Sequence, residues 1–299
     1  MFGSSQLGKG ILSLAAVLMV SIEPGPVRSG DDPDLAVTLG RLARVAELYR
    51  DAALKFSCSE YFRVEKAEDF GEDLRLLKRK PRGEPTFLLT HFYDDDGKLN
   101  VHRASPTSVR RARKEAVMPE TQPLTADHPG IERPLFWIFL FEAGKDEVIE
   151  YELQGRDEVF ERPALKIGFE PKGGWIRDVN DWVGTAWIDE ETLQLLKVQG
   201  QHRSHIEARE RLDRLRSEVP SFLYGEEHTI PITHTETLFE HEKNGMRFPS
   251  QVITRTNTVT LSNKNEIEHS LWLSQQFIKN CKFYNVQASD TIRQVVFSD

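Results

Sequence analysis

The sequence predicts an α+β fold: an antiparallel sheet with one apolar face laid against a long N-terminal helix and a short second helix. Three observations carry this. Residues 33–54 repeat apolar side chains at helical spacing, with arginines and a glutamate between them. Most of the later chain alternates apolar and polar residues with period two, the habit of antiparallel strands with one wet face. Residues 134–141, Pro-Leu-Phe-Trp-Ile-Phe-Leu-Phe, form the most apolar stretch after the N-terminus. Pro134 at its start and Gly144 just past its end favour a short core helix over a strand.

The chain opens with Lys9 and an apolar run over 11–22, broken by Pro24 and Pro26. That is the layout of a secretory signal peptide, with Val27 and Ser29 suiting a cleavage site near Ser29. The run is short of the roughly 20 residues a membrane helix needs. The first cysteine is Cys58, too far along for a lipid-anchored N-terminus. Removing residues 1–29, which carry Lys9, Arg28 and Glu23, shifts the formal charge from −8 to −9. Such an acidic balance argues against a nucleic-acid partner. Residues 30–299 are expected to form one domain in water, with no membrane span.

Asp31-Asp32-Pro33-Asp34 suits a helix start, and Leu35, Leu39, Leu42, Val45 and Tyr49 supply the apolar stripe. Phe56, Cys58, Phe62 and Val64 begin the first strand, with Glu60 interrupting its apolar face. Residues 74–78 and 86–93 are further strand candidates; Asp94-Asp95-Asp96-Gly97 turns the chain, and 98–102 returns. Residues 103–130 form a charged excursion, partly helical. Ile149, Tyr151 and Leu153 then share a face, as do Leu165, Ile167 and Phe169. Residues 183–200 read as a hairpin around Asp189-Glu190-Glu191-Thr192, with Leu196 and Val198 on the apolar side. A second charged excursion, 201–230, is helical over 202–219. Strand pattern resumes at 232–241, turns at Asn244-Gly245, returns over 246–259, turns again at 263–265, and ends with strand-like 283–286 and 292–297.

Enzyme signatures are scarce. The chain has no Gly-x-Ser-x-Gly, His-Glu-x-x-His, phosphate loop or Cys-x-x-Cys. His202 and His205, with acidic residues at 226–227 and 240–242, fall short of converging zinc ligands and read as exposed histidines. The run at 94–97 reads as a turn, because the later ligands of a calcium loop are missing. No cofactor or metal is expected. Cys58 and Cys281 are the only cysteines. By strand parity, Cys58 shares a side with Phe56 and Phe62, and Cys281 with Phe277 and Phe283. They either bridge in an oxidising compartment or remain two buried thiols.

The order of these segments resembles the LolA/LppX superfamily of outer-membrane lipoprotein-sorting proteins. The resemblance is carried by the 33–54 helix running into 56–64, by 134–141 leading into Tyr151-Glu152-Leu153-Gln154-Gly155, and by Arg162-Pro163-Ala164-Leu165-Lys166-Ile167. Gly184-Thr185-Ala186-Trp187-Ile188-Asp189, 193–198 and the turn at 245–249 complete it. It implies a curved, half-open barrel wrapped around helices and enclosing an apolar cavity. The cavity would be lined by Tyr151, Leu153, Leu165, Ile167, Phe169, Leu196 and Val198. A periplasmic, non-catalytic carrier of a lipid, acyl chain or lipoprotein follows. The alternative is an envelope sensor that binds a partner protein, like the RseB-type regulators, and an enzyme stands third. The excursions at 103–130 and 201–230 depart from the family pattern and stand where they would cover a cavity mouth.

Overall fold

The computed structural model describes residues 34–52, 56–67, 84–93, 99–115, 120–124, 130–131, 133–173, 181–218, 228–261 and 267–283. The proposed signal peptide, the candidate strand at 74–78, the turns at 94–97 and 263–265 and the final strands beyond Phe283 lie outside them. The described elements belong to one compact unit, Pro33–Asp299.

Helix α1 spans Leu35–Ala52. Asp34 caps it: its Oδ1 accepts the Ala36 N–H at 2.9 Å, and its carbonyl takes the Thr38 N–H. Strands follow as β1 (Phe56–Ala67), β2 (Phe87–Tyr93) and β3 (Leu99–Ala104). Helix α2 (Pro106–Glu115) occupies part of the first charged excursion. The apolar stretch Pro134–Phe141 is a 3-10 helix with Pro134 opening it. Then come β4 (Ile149–Val159), β5 (Arg162–Pro171), β6 (Trp182–Asp189) and β7 (Leu195–His202). Helix α3 (Arg203–Glu218) fills the second excursion. The chain continues through β8 (His228–Leu238), β9 (His241–Lys243), β10 (Met246–Phe248), β11 (Gln251–Leu261) and β12 (Ile267–Phe283).

Ten of these strands form one antiparallel sheet in the order β3-β2-β1-β12-β11-β8-β7-β6-β5-β4. The last strand thus slots between the first and β11, and β3 and β4 are left as opposite edges. The half-barrel is open. β9 and β10 form a separate hairpin turned by Asn244 and Gly245, both at positive φ as a tight primed turn requires. The pattern expected over 232–241 and 246–259 therefore breaks at Phe239-Glu240 and at Pro249-Ser250, where the chain leaves one sheet for the other.

The core lies on the inner face of the sheet. Leu42, Val45, Ala46 and Tyr49 of α1 and Leu135, Trp137, Ile138, Leu140 and Phe141 of the 3-10 helix pack against inner-face residues of seven strands. Trp137 anchors the centre; its indole N–H donates to Thr237 Oγ1 at 2.9 Å. Gly200 makes room for it, since a Cβ there would fall 2.7 Å from the Trp137 ring. Cys58 and Cys281 form a disulfide, with their Cα atoms 4.1 Å apart, joining β1 to β12.

Two of the parity expectations fail, for one physical reason. Register shifts between Trp187 and Ile188: Trp187 pairs with Lys197 but Ile188 with Leu195, so Leu196 is an extra residue. It points to the outer face, where it packs with Val159, Ala164 and Trp187. Leu196 and Val198 therefore do not share a side. Opposite Cys58, register slips from Ser59–Lys279 to Ser57–Lys282, and Asn280 sits at φ +54°. Cys281 thereby joins the inner core with Ile278, whereas Phe277 falls at outer-face register, paired with Tyr61.

Candidate functional site

Around Trp137, Ile167 and Val198 the inner face is filled by described residues. Among the residues expected to line an apolar cavity, Leu165, Ile167, Phe169 and Val198 are buried in the main core, and Ile167 and Val198 show 0% exposure. A side chain with no accessible surface has no water-sized void beside it, so an acyl chain has no room there. Tyr151 and Leu153 are only half-buried, at the margin of that core. The Tyr151 hydroxyl donates to the Leu140 carbonyl at 2.5 Å, and its ring stacks on Phe141. Burial, then the Asp146 charge, push this phenol above its ordinary range. The structure brings six of the seven residues together on one face, Leu196 apart.

Helix α1 closes over this face through a buried polar cluster at its C-terminal end. The Tyr49 hydroxyl lies 2.7 Å from Gln194 Oε1 and 2.6 Å from the Arg247 carbonyl, and accepts the Arg247 N–H at 2.8 Å. Gln194 Nε2 donates to the Gly245 carbonyl. Desolvation drives the Tyr49 phenol far above its usual range, so it stays a neutral donor. Arg50 adds an ion pair to Glu142, at the end of the 3-10 helix.

A second buried network ties the other end of the sheet. Glu60, which the sequence showed as a carboxylate on an apolar face, accepts from Arg103 Nε at 2.6 Å, Arg103 Nη2 at 3.2 Å and Gln276 Nε2 at 2.5 Å. Gln276 also brackets Ile131, accepting its N–H and donating to its carbonyl. Burial first, and the Arg103 charge second, push the neighbouring His91 down to about 3, leaving it neutral at physiological pH.

An open cavity lies on the outer face. A groove of about 380 Å³ runs across β6, β7, β8 and β11 and touches α3 at Ile206. Its polar rim comes from alternate strand positions: Thr185 of β6, Gln199 and Gln201 of β7, His234 and Glu236 of β8, and Arg255 of β11. Strand register places Arg255 directly opposite His234 and one step diagonal to Glu236. Glu236 Oε2 accepts from Gln199 Nε2 at 2.6 Å. Among the described residues, no hydrogen bond or ion pair engages the Arg255 guanidinium. Burial, then the charges of Arg209, Arg255 and His205, hold His234 below the ordinary histidine range.

Helix α3 is tied to β8 through a histidine. His205 Nδ1 accepts the Thr233 N–H at 3.3 Å, a donor that lies past the end of the β7–β8 ladder. Burial, with His202 nearby acting in the same direction, lowers the His205 pKa. The His202 and His205 rings are 6.0 Å apart. No cluster of three metal-binding side chains occurs among the described residues, and no helix among them is long and apolar enough to cross a membrane.

Sequence reasoning missed the groove. His234 and Glu236 alternate visibly with Thr235 and Thr237, but Arg255 becomes their neighbour only through the β8–β11 register. No local signal announces that pairing.

No family model matches the chain, and no curated protein does. Solved structures with a loose likeness include a DUF1329 family protein from Desulfovibrio piger, at 11% identity and TM-score 0.37, covering 86% of this chain and 96% of that one. Another is a putative outer membrane lipoprotein-sorting protein domain from Vibrio parahaemolyticus, at 10% identity and TM-score 0.37, covering 86% and 97%. A LolA superfamily protein from Nitrosomonas europaea aligns at 8% identity and TM-score 0.36, over 82% and 93%. The fold described above stands on the chain's own strand order and register.

Proposed function

We propose that the chain is an exported, non-catalytic binding module of the cell envelope that recognises its ligand or partner protein on the outside of a filled sheet. The observation that carries this reading is the packing of the inner face. With Ile167, Val198 and Trp137 fully enclosed, the face expected to cradle an apolar ligand is occupied by the protein's own helices. The outer groove stays open. Export is supported by the layout of residues 1–29 and by a disulfide, which suits the periplasm or another oxidising compartment. Edman sequencing of exported protein should begin just after Ser29; an N-terminus at Met1 in the membrane fraction overturns the cleavage.

A carrier of a lipid, acyl chain or lipoprotein is the second reading, favoured by one observation. The inner face is apolar, and the helix covering it is held at one end by the Tyr49 cluster and the Arg50–Glu142 pair. Displacing α1 would uncover surface on which an acyl chain gains about 0.8 kcal/mol per buried methylene. Displacement of a fluorescent fatty-acid probe from delipidated mature protein separates the two readings. Saturable binding at micromolar concentrations, with folding checked by circular dichroism, overturns the outer-face reading in favour of the carrier. Absence of binding, with a stoichiometric envelope partner co-purifying free of lipid, supports it.

A further inference from the structure

We propose that the outer-face groove beside α3 binds a small zwitterion of the α-amino-acid class, its carboxylate on Arg255 and its ammonium group on Glu236. The proposal concerns a small-molecule site and stands whether the inner face carries lipid or not. Three features of the groove point to this chemistry. Arg255 presents a guanidinium that no described residue engages, although it lines a cavity rather than bulk surface. Glu236 lies on the neighbouring strand, one diagonal step away, close enough for both side chains to meet one small molecule. The two do not pair with each other, and Gln199 occupies only one oxygen of Glu236, leaving Oε1 to accept.

Charge balance then narrows the ligand. The groove's lining sums to zero with His234 neutral, since one guanidinium faces one carboxylate. A dianion such as phosphate meets Arg255 but is repelled by Glu236, and a simple amine meets the reverse. An uncharged sugar offers hydroxyls to both ions but no countercharge, so it offsets their desolvation less fully. A molecule with one charge of each sign satisfies both, and the guanidinium fork suits a carboxylate bidentately. Thr185 and Gln201 supply further hydrogen-bonding groups along the rim, while Val183 and Ile206 form an apolar wall against which an aliphatic side chain lies. A volume of about 380 Å³ accommodates an amino acid or the end of a short peptide.

The test uses the mature full-length protein and NMR of its histidine ring and arginine side-chain signals. An equimolar pool of the twenty common amino acids is added first, then L-valine, valinamide, isovalerate and inorganic phosphate separately. The expected result is a saturable shift of the His234 and Arg255 signals with the pool. At least one free amino acid should bind at least tenfold more tightly than any probe lacking its ammonium or its carboxylate. Arg255→Gln should abolish the response, and Glu236→Gln should weaken amino acids at least tenfold while leaving or strengthening isovalerate. A dipeptide that binds more tightly than the free acids identifies a peptide end as the source of the same chemistry. No response to the pool or the dipeptide, in protein whose dispersed spectrum shows it folded, overturns the proposal. So does an equal or tighter response to phosphate, or an unchanged response in folded Arg255→Gln.

Discussion

At the residue scale, the charges that matter most are the buried ones. Glu60 and Arg103 are 0% and 3% exposed at their side chains and form a buried ion pair, with Gln276 donating a further hydrogen bond to Glu60. Removing one partner leaves an uncompensated buried ion, a change that costs about 3–5 kcal/mol. Arg103→Met should lower the unfolding free energy by that amount in a urea titration, and Glu60→Gln/Arg103→Met together should recover part of it. Asp189 offers a second test. Burial opposes its ionisation, but the Arg162 hydrogen bond and the N–H groups of Thr192 and Glu191 outweigh burial and hold its carboxyl below the usual aspartate range. A carboxyl depressed in the folded state contributes stability that is present above its unfolded pKa and lost as pH falls through the folded one. Wild-type stability should therefore drop below pH 4 more steeply than that of Asp189→Asn. At pH 7 the variant should be about 1–2 kcal/mol less stable.

Elements are held to the sheet by single polar clusters, and each cluster makes a distinct prediction. Tyr49→Phe removes the hydroxyl that accepts from Arg247 and donates into the Gln194 cluster, with no change in ring packing against Phe248. A loss of about 1–2 kcal/mol is expected, with amide exchange fastest along α1. Helix α3 depends on an unprotonated imidazole, because His205 accepts from Thr233. Both His205 and His234 have pKa values lowered in the folded protein, His205 by burial and then His202, His234 by burial and then Arg209, Arg255 and His205. Docking of α3 is therefore complete above pH 6.5 and weakens as pH falls below it. The protection factor of the Thr233 amide should decline between pH 7 and pH 5. His205→Gln, whose amide keeps an acceptor, should flatten that decline.

For the molecule as a whole, the disulfide is the largest single constraint. It links residues 223 apart, tying the first strand to its neighbour in the sheet, the last described one. In the chain-entropy account a closed loop of that length stabilises by about 5 kcal/mol. Titration of denatured, unreduced protein should find no free thiol. Cys58→Ser/Cys281→Ser should shift the urea midpoint down without altering the far-ultraviolet spectrum of the folded state. The same topology explains why β12 is so long. Paired with β1 on one side and β11 on the other, it is the strand on which both halves of the sheet converge.

The sequence alone determined several elements: a helix within 33–54, the apolar segment at 134–141, the hairpin around Asp189 and the turn at Asn244-Gly245. Those features are written in local periodicity and turn chemistry, which act over a few residues. The inner-face assignment of Tyr151, Leu153, Leu165, Ile167, Phe169 and Val198 was legible for the same reason, because parity within an unbroken strand is exact in its alternation. Leu196 and Phe277 escaped because a single extra residue reverses parity, and periodicity alone does not locate a bulge. Whether the cysteines met was likewise open until β12 was placed beside β1. Only the tertiary structure decided that α1 and the 3-10 helix fill the inner face, since packing volume belongs to facing elements and to neither alone. It also decided where Arg255, His234 and Glu236 meet. Their neighbourhood is set by hydrogen-bond register between strands that the linear chain keeps some twenty residues apart.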